Sequence, residues 1–207
     1  MKFILFVEGP TEAEVLPAFF KRWLYPQLNK PIGVQAVHFD GAAELIAKSP
    51  SRAQKYLNAP GQEVFAVVAL LDLQGLPISY PANIASMAEK VYWAKREMEG
   101  KVDDTRFRQF FVVHELEAWL LSDVTIFPKS LQGTFPEKVE QPEKVNFNEP
   151  PSKLLSRLYQ KMNKKYKKPV DGKDLFAKLA PSVAYAKCPH LKALLDEMLV
   201  LARSAGQ

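Results

Sequence analysis

The sequence predicts an α/β fold in which a mostly parallel four-stranded sheet is flanked by helices, with a helical appendage at the C-terminus. Three observations lead to this prediction. Short apolar runs alternate with longer segments of helical periodicity over the first two thirds of the 207-residue chain. Glycine and proline stand where one kind of segment gives way to the next. The most apolar run, VFAVVALL at 64–71, has the character of a central strand that is covered on both faces.

Each predicted element follows from its local pattern. The run KFILFV ends at a Gly-Pro turn, which indicates a strand, and the next segment places Val15, Phe19 and Trp23 on one helical face. Gly75, with two prolines after it, predicts a loop before the third helix. The predicted strands are 2–7, 34–39, 64–71 and 106–113, and the predicted helices are 12–28, 42–57 with an interruption near Pro50, 82–99, 152–165, 172–179 and 189–205.

A change of composition near Ser122 predicts two parts. Residues 1–122 hold the alternating strands and helices, and residues 123–207 begin with a proline-punctuated polar connector. Basic helical segments follow, which we expect to pack on the core.

Composition narrows the class of protein. The formal charge of +5 permits an anionic partner, and Cys188, the single cysteine of the chain, cannot form an internal disulfide. The sequence shows neither a signal segment nor a run of about 20 apolar residues. We therefore expect a cytoplasmic protein without membrane association.

Acidic side chains follow three of the predicted strands. Glu8 and Glu12 come after the first strand, Asp72 after the third, and Glu115 and Glu117 after the fourth. Because the C-terminal ends of parallel strands meet at one edge of a sheet, these acids are expected to converge. Clustered carboxylates repel one another, and a hard cation such as Mg²⁺ is the usual compensation.

Each acid also has an ordinary structural explanation. Glu12 could complement the dipole of its helix, and Asp72 could be a turn or cap residue. Glu115 and Glu117 could lie on an exposed helix start. Residues two apart in a helix face different ways, so these two share a ligand role only if the strand-to-helix junction falls between them.

The run VEGPTE, followed much later by an apolar strand that ends in Asp, resembles the Toprim domain of topoisomerases, bacterial primases and overcoming-lysogenisation-defect (OLD) nucleases. In that family a Glu after the first strand and an Asp-x-Asp after a later one hold Mg²⁺ for phosphodiester chemistry. Glu8 matches the Glu and Asp72 the first Asp. Gln74 stands where the second Asp would be, and its side-chain carbonyl is a weaker, neutral ligand.

A closer resemblance extends over nearly the whole chain. The ordered segments VEGPTE, LLDLQGLP, HELEAWLLSD, PPSKLL, YKKPVDGKDL and KCPHL look like a bacterial family of small Toprim-like (Rossmann-like) proteins that carries the label of a domain of unknown function. The resemblance implies a nuclease-like role in defence, with a separate AAA/ABC-type ATPase as a partner. It further implies that Glu8 and Asp72 are the principal ligands of Mg²⁺ or Mn²⁺, supported by Glu12, Glu115 and Glu117.

A basic segment lies between residues 151 and 170 and contains no acid. Four of its cations recur at helical spacing, which predicts one basic helix face with tyrosines interleaved. Such a strip suits a phosphate backbone, although a solvated helix face is the ordinary alternative. Lys168, or its neighbour Lys167, is the candidate catalytic cation. The predicted nucleic-acid-binding residues are Lys153, Arg157, Lys161, Lys164, Lys165 and Lys167.

Taken together, the sequence predicts a metal-dependent nuclease in which Glu8, Asp72 and Lys168 are catalytic. Two alternatives remain open at this point. One is a non-catalytic module that binds nucleic acid or a partner ATPase, and the other is a small phosphoester hydrolase.

Overall fold

The structure is a computed structural model, and it describes residues 1–61, 63–73, 75–145 and 149–206. At its centre lies a sheet of four strands in the order β2-β1-β3-β4, with every pair parallel. The prediction of an α/β fold with a four-stranded sheet flanked by helices is confirmed. The strands are β1 (Lys2–Val7), β2 (Gly33–His38), β3 (Val64–Asp72) and β4 (Phe107–Val112).

Helices connect the strands and form the C-terminal part of the chain. The α-helices are α1 (Pro10–Leu24), α2 (Ala42–Leu57), α3 (Met87–Val102), α4 (Glu117–Leu120), α5 (Lys129–Gln132), α6 (Pro151–Gln160), α7 (Lys173–Lys178), α8 (Pro181–Lys187) and α9 (Pro189–Ser204). Short 3-10 turns lie at Tyr25–Gln27, Val124–Ile126, Glu137–Glu140 and Pro142–Lys144, and a π-helical turn lies at Lys168–Gly172. No described helix is both long enough and apolar enough to cross a membrane.

The two faces of the sheet carry separate hydrophobic cores. In β1, Phe3 and Leu5 belong to the core formed with α1 and the C-terminal helices, whereas Ile4 and Phe6 belong to the core formed with α2 and α3. This alternation is the strand periodicity of two residues, and it explains why β1 and β3 are apolar on both faces. Helices from beyond residue 122 therefore share a core with α1, while the proposed division at 122/123 stays a prediction.

The predictions for the second and third helices are each wrong in one detail, for identifiable reasons. The helix over residues 42–57 is not interrupted, because α2 runs through Pro50 with Leu45 and Ala53 buried on its inner face. Apolar packing on both sides of the proline outweighs the loss of one backbone hydrogen bond. The third helix begins at Met87 rather than residue 82, because the Ser86 side chain accepts a hydrogen bond from the Glu89 backbone in a capping box.

Candidate active site

Glu8 and Asp72 meet at the C-terminal edge of the sheet. β1 and β3 are adjacent and parallel, so both strands end at this edge. Glu8 follows β1 directly, and Asp72 is the last residue of β3. The backbone N–H of Asp72 donates a hydrogen bond to Glu8 Oε1 at 2.6 Å. The convergence expected from the strand order is therefore present for these two residues.

Lys168 joins two further acids at the same site. α1 starts at Pro10, because a proline at the first helical position loses no intrahelical bond. This places Glu12 in the first turn, and Glu117 is the first residue of α4. The Nζ atom of Lys168 lies 2.9 Å from Glu12 Oε1 and 3.5 Å from Glu117 Oε2. One ammonium thus bridges carboxylates from two elements.

Glu117 is the most deeply buried acid of the group, with 2% of its surface exposed. The Tyr166 hydroxyl donates to Glu117 Oε1 over a long distance of 3.4 Å. In the described part of the chain, the other oxygen, Oε2, accepts no hydrogen bond and has only the ion pair with Lys168. A buried carboxylate oxygen without a hydrogen bond is energetically costly, which marks Glu117 as a functional candidate.

The electrostatics of the site disfavour ionised carboxylates. Burial raises the pKa of Asp72 to about 8, and Glu8, Glu12 and Glu117 add to the rise while Lys168 opposes it. Burial also raises the pKa of Glu8 and of Glu117. For Lys168 burial acts to lower the pKa, but Glu117 and Glu12 outweigh it and the net direction is upward. Four acids therefore surround one lysine, and because a single cation cannot neutralise them all, the site favours the protonated form of its acids.

Glu115 has a different role from the other four acids. It lies between β4 and α4, on the strand side of the helix start, so the junction does fall between Glu115 and Glu117. Both of its carboxylate oxygens bind Ser152, accepting from the backbone N–H at 2.8 Å and from the hydroxyl at 3.0 Å. Glu115 therefore ties the start of α6 to the sheet edge.

The basic segment is less regular than the sequence indicates. The prediction of one continuous helical face is wrong, because α6 ends at Gln160 and Asn163 adopts a left-handed conformation with φ of 55°. Arg157 forms a two-point ion pair with Glu149, at 2.7 and 2.9 Å. The exposed lysines of this segment are Lys153, Lys161, Lys164, Lys165 and Lys167.

The two tyrosines of the segment are core residues. Tyr159 and Tyr166 are 5% and 8% exposed, and their rings pack edge to face with centroids 5.4 Å apart. They consequently offer no surface on which bases could stack. The contact between Tyr166 and Glu117 is not predicted from the sequence, although Tyr166 belongs to the YKK segment on which the choice of Lys168 depends.

A divalent cation fits the chemistry of these residues. The donors are carboxylate oxygens, which Mg²⁺ and Mn²⁺ prefer, and the Glu117 oxygen without a hydrogen bond shows unsatisfied acceptor capacity. Among the described residues, however, no group of three or more His, Cys, Asp or Glu side chains is arranged to hold a metal ion directly. Gln74, which the sequence resemblance aligns with the second Toprim acid, lies outside the described residues.

The chain is similar to a solved structure but matches no curated protein. No curated protein matches the sequence closely enough to count as a relative. Among solved structures, the chain is similar to the C-terminal region of the Xanthomonas campestris pv. campestris OLD protein, with 12% identity and a TM-score of 0.42. That alignment covers 95% of this chain and 97% of the other.

A protein-family model matches most of the chain. The model described as Domain of unknown function (DUF4276) matches residues 7–199. That range includes the C-terminal ends of β1 and β3, the basic segment and Lys168. It covers well over half of the sequence, and the resemblance to a domain-of-unknown-function family is thereby confirmed. The chain belongs to the DUF4276 family.

Proposed function

We propose that the protein is a metal-dependent nuclease that hydrolyses phosphodiester bonds of nucleic acid at the C-terminal edge of its sheet. The observation that carries this proposal is the group of four acids around Lys168, in which buried Glu117 has an oxygen without a hydrogen bond. Such an arrangement is costly for folding and has a clear use in chemistry on phosphates.

Glu8, Asp72 and Glu117 would hold Mg²⁺ or Mn²⁺. When bound, the metal supplies a Lewis acid and lowers the pKa of a coordinated water. Glu12 is already engaged at 2.9 Å with Lys168, so we assign it the role of orienting that lysine. Glu115 supports the site by fixing α6 through Ser152.

In this proposal Lys168 and the exposed lysines just before it in sequence interact with the phosphates of the substrate. Lys168 would place a positive charge beside the reacting phosphate and stabilise the negative charge that develops in the transition state. The exposed Lys161, Lys164, Lys165 and Lys167 lie just before it in sequence and would hold the phosphate backbone without sequence preference. A role in defence against phages or mobile elements, with a separate AAA/ABC-type ATPase, belongs to the same proposal and is supported by the sequence resemblance alone.

Two observations favour a second candidate function. Within the described residues no three acidic side chains already stand in a coordinating arrangement, and the sequence has Gln74 at the place of a second carboxylate. A non-catalytic module that binds nucleic acid or a partner ATPase would be compatible with both facts.

Cleavage assays test the main proposal. Plasmid, single-stranded DNA and structured RNA are incubated with the wild-type protein in Mg²⁺ or Mn²⁺, beside Glu8→Gln and Asp72→Asn. The matched control is Asp103→Asn, which removes one exposed carboxylate in the turn between α3 and β4, at the opposite end of the sheet. We expect metal-dependent cleavage that falls at least about 100-fold in both site variants and persists in the control.

Binding measurements separate the two candidates. If no substrate is cut and the protein still binds nucleic acid in chelator, with affinity that falls steeply with salt, the binding module is the better description. Metal-dependent cleavage that survives in both site variants would instead show that the acids at the strand ends are not the catalytic site.

A further inference from the structure

Lys168 approaches the acidic group from the solvent side. Its side chain is 35% exposed, whereas that of Glu117 is 2% exposed and that of Glu12 is 16% exposed. The contact of Lys168 with Glu12 is the shorter one, 2.9 Å against 3.5 Å to Glu117. Its ammonium is therefore well placed beside Glu12 and only loosely placed beside Glu117. Among the described residues, Lys168 is nevertheless the only ionic partner of Glu117 Oε2.

The backbone on both sides of Lys168 is fixed without help from its ammonium. The Lys167 backbone N–H donates to Asp171 Oδ2 at 2.6 Å, and the Asp171 N–H donates to the Lys167 carbonyl at 2.8 Å. These bonds close the π-helical turn. Tyr166 packs before it, and Gly172 after it approaches Tyr166 so closely that an added Cβ would lie 3.2 Å from the hydroxyl. The ammonium can consequently change its partner while the turn keeps its shape.

A divalent cation held by Glu117 would compete with the lysine for the same oxygen. Glu117 Oε2 is the carboxylate atom nearest to Lys168 on α4, and it is also the site oxygen with no hydrogen bond. Two cations beside one oxygen repel each other, so binding of the second weakens the contact of the first. Glu12 and Glu117 contact the ammonium, and Glu8 and Asp72 lie close enough to interact with it electrostatically.

We propose that Lys168 is the resident cation of the metal-free site, neutralising Glu117 until a divalent metal binds and then keeping only Glu12 as its partner. This inference rests on the proposed function, because it concerns the metal site of that function. It explains how a chain with a buried carboxylate that has no other ionic partner among the described residues folds before it binds metal. It also gives the lysine a free position toward a phosphate only when the metal is in place.

The first test measures metal affinity without any substrate. Binding of Mn²⁺ is followed by electron paramagnetic resonance of the free ion for the wild type, Lys168→Met and Lys167→Met. Lys167→Met is the matched control, because Lys167 is exposed and adjacent to Lys168 in sequence and its substitution removes the same charge. We expect Lys168→Met to bind Mn²⁺ at least about tenfold more tightly than the wild type, and Lys167→Met to stay within about twofold.

The second test uses only the wild-type protein, and it remains informative if Lys168→Met does not fold. Lysines are acetylated briefly with and without Mg²⁺, and the extent at Lys168 relative to Lys167 is read by mass spectrometry. We expect Mg²⁺ to raise this ratio at least about threefold, because the ammonium loses one of its two carboxylate partners.

The outcomes separate this inference from the proposed function. Mn²⁺ binding that is equal or weaker in Lys168→Met, or a labelling ratio that Mg²⁺ leaves unchanged, overturns the role of Lys168 as a resident cation while the metal site stands. If the wild type and Lys168→Met bind no Mn²⁺ at all, the metal-dependent function fails and this inference fails with it.

Discussion

Replacing Asp72 with asparagine is expected to stabilise the metal-free protein at pH 8 and to change its stability little at pH 4. The reason is the raised pKa of Asp72, which is about 8 in the folded protein against an ordinary value of 3.8. Between these two pH values the folded state holds a proton that the unfolded state has lost. Folding then requires proton uptake, so the contribution of Asp72 to stability is present below about pH 4 and is lost as the pH rises toward 8.

The size of the effect follows from the same two values. At ~1.4 kcal/mol per pH unit, a pKa near 8 instead of 3.8 sets an upper limit of about 6 kcal/mol. Asp72 is only half-buried, and water screens part of its charge, so we expect a gain of about 2–3 kcal/mol for Asp72→Asn at pH 8. Its backbone N–H, which binds Glu8, is unchanged by the substitution.

Urea denaturation in the presence of a chelator at pH 4, 6 and 8 measures this difference. Asp103→Asn serves as the control, because this residue is exposed at the other end of the sheet and its substitution should change the free energy of unfolding by no more than about 0.5 kcal/mol. The reasoning is refuted if Asp72→Asn gains no more stability at pH 8 than at pH 4, or if it is the less stable protein at pH 8.

Three further substitutions test the close packing beside Lys168 and two structural features elsewhere in the fold. Gly172→Ala places a Cβ 3.2 Å from the Tyr166 hydroxyl and should lower the free energy of unfolding by about 1–2 kcal/mol in urea denaturation. Gly100 is a helical position with open space around it, so Gly100→Ala should raise the free energy of unfolding by about 0.5–1 kcal/mol. Equal effects would contradict the close approach. Glu143→Ala removes a buried acceptor of two backbone N–H bonds, at 2.9 and 3.2 Å, at the start of α9. It should lower the free energy of unfolding by about 1–3 kcal/mol, and an unchanged melting curve would contradict that role.

The strands and the central pair of site residues could be predicted from sequence because local pattern determines both. An apolar run closed by a turn marks β1 and β3 within one residue, and parallel strands carry whatever follows them to the same edge. The convergence of Glu8 and Asp72 follows from the strand order, whereas the family resemblance singled them out as the principal ligands. The boundaries of α3 and α6 were less predictable, since they depend on a capping box at Ser86 and a left-handed residue at Asn163.

The remaining site contacts depend on how the C-terminal part of the chain returns to the sheet. Lys168 reaches Glu12 across more than 150 residues of sequence, and Tyr166 reaches Glu117 across 49. Long-range pairs of this kind arise from packing of the helices that follow residue 122, which no local pattern encodes. The family resemblance, rather than periodicity or spacing, is what singled out Lys168.

The most direct test of the proposed nuclease site is metal-dependent cleavage of nucleic acid by the wild type beside Glu8→Gln. The glutamine keeps a side-chain oxygen that can accept the hydrogen bond from the Asp72 backbone, and it removes the negative charge. We predict cleavage in Mg²⁺ or Mn²⁺ that the chelator abolishes and that Glu8→Gln lacks despite unchanged folding. Cleavage of equal rate in Glu8→Gln, or nucleic-acid binding without cleavage in every metal, would contradict it.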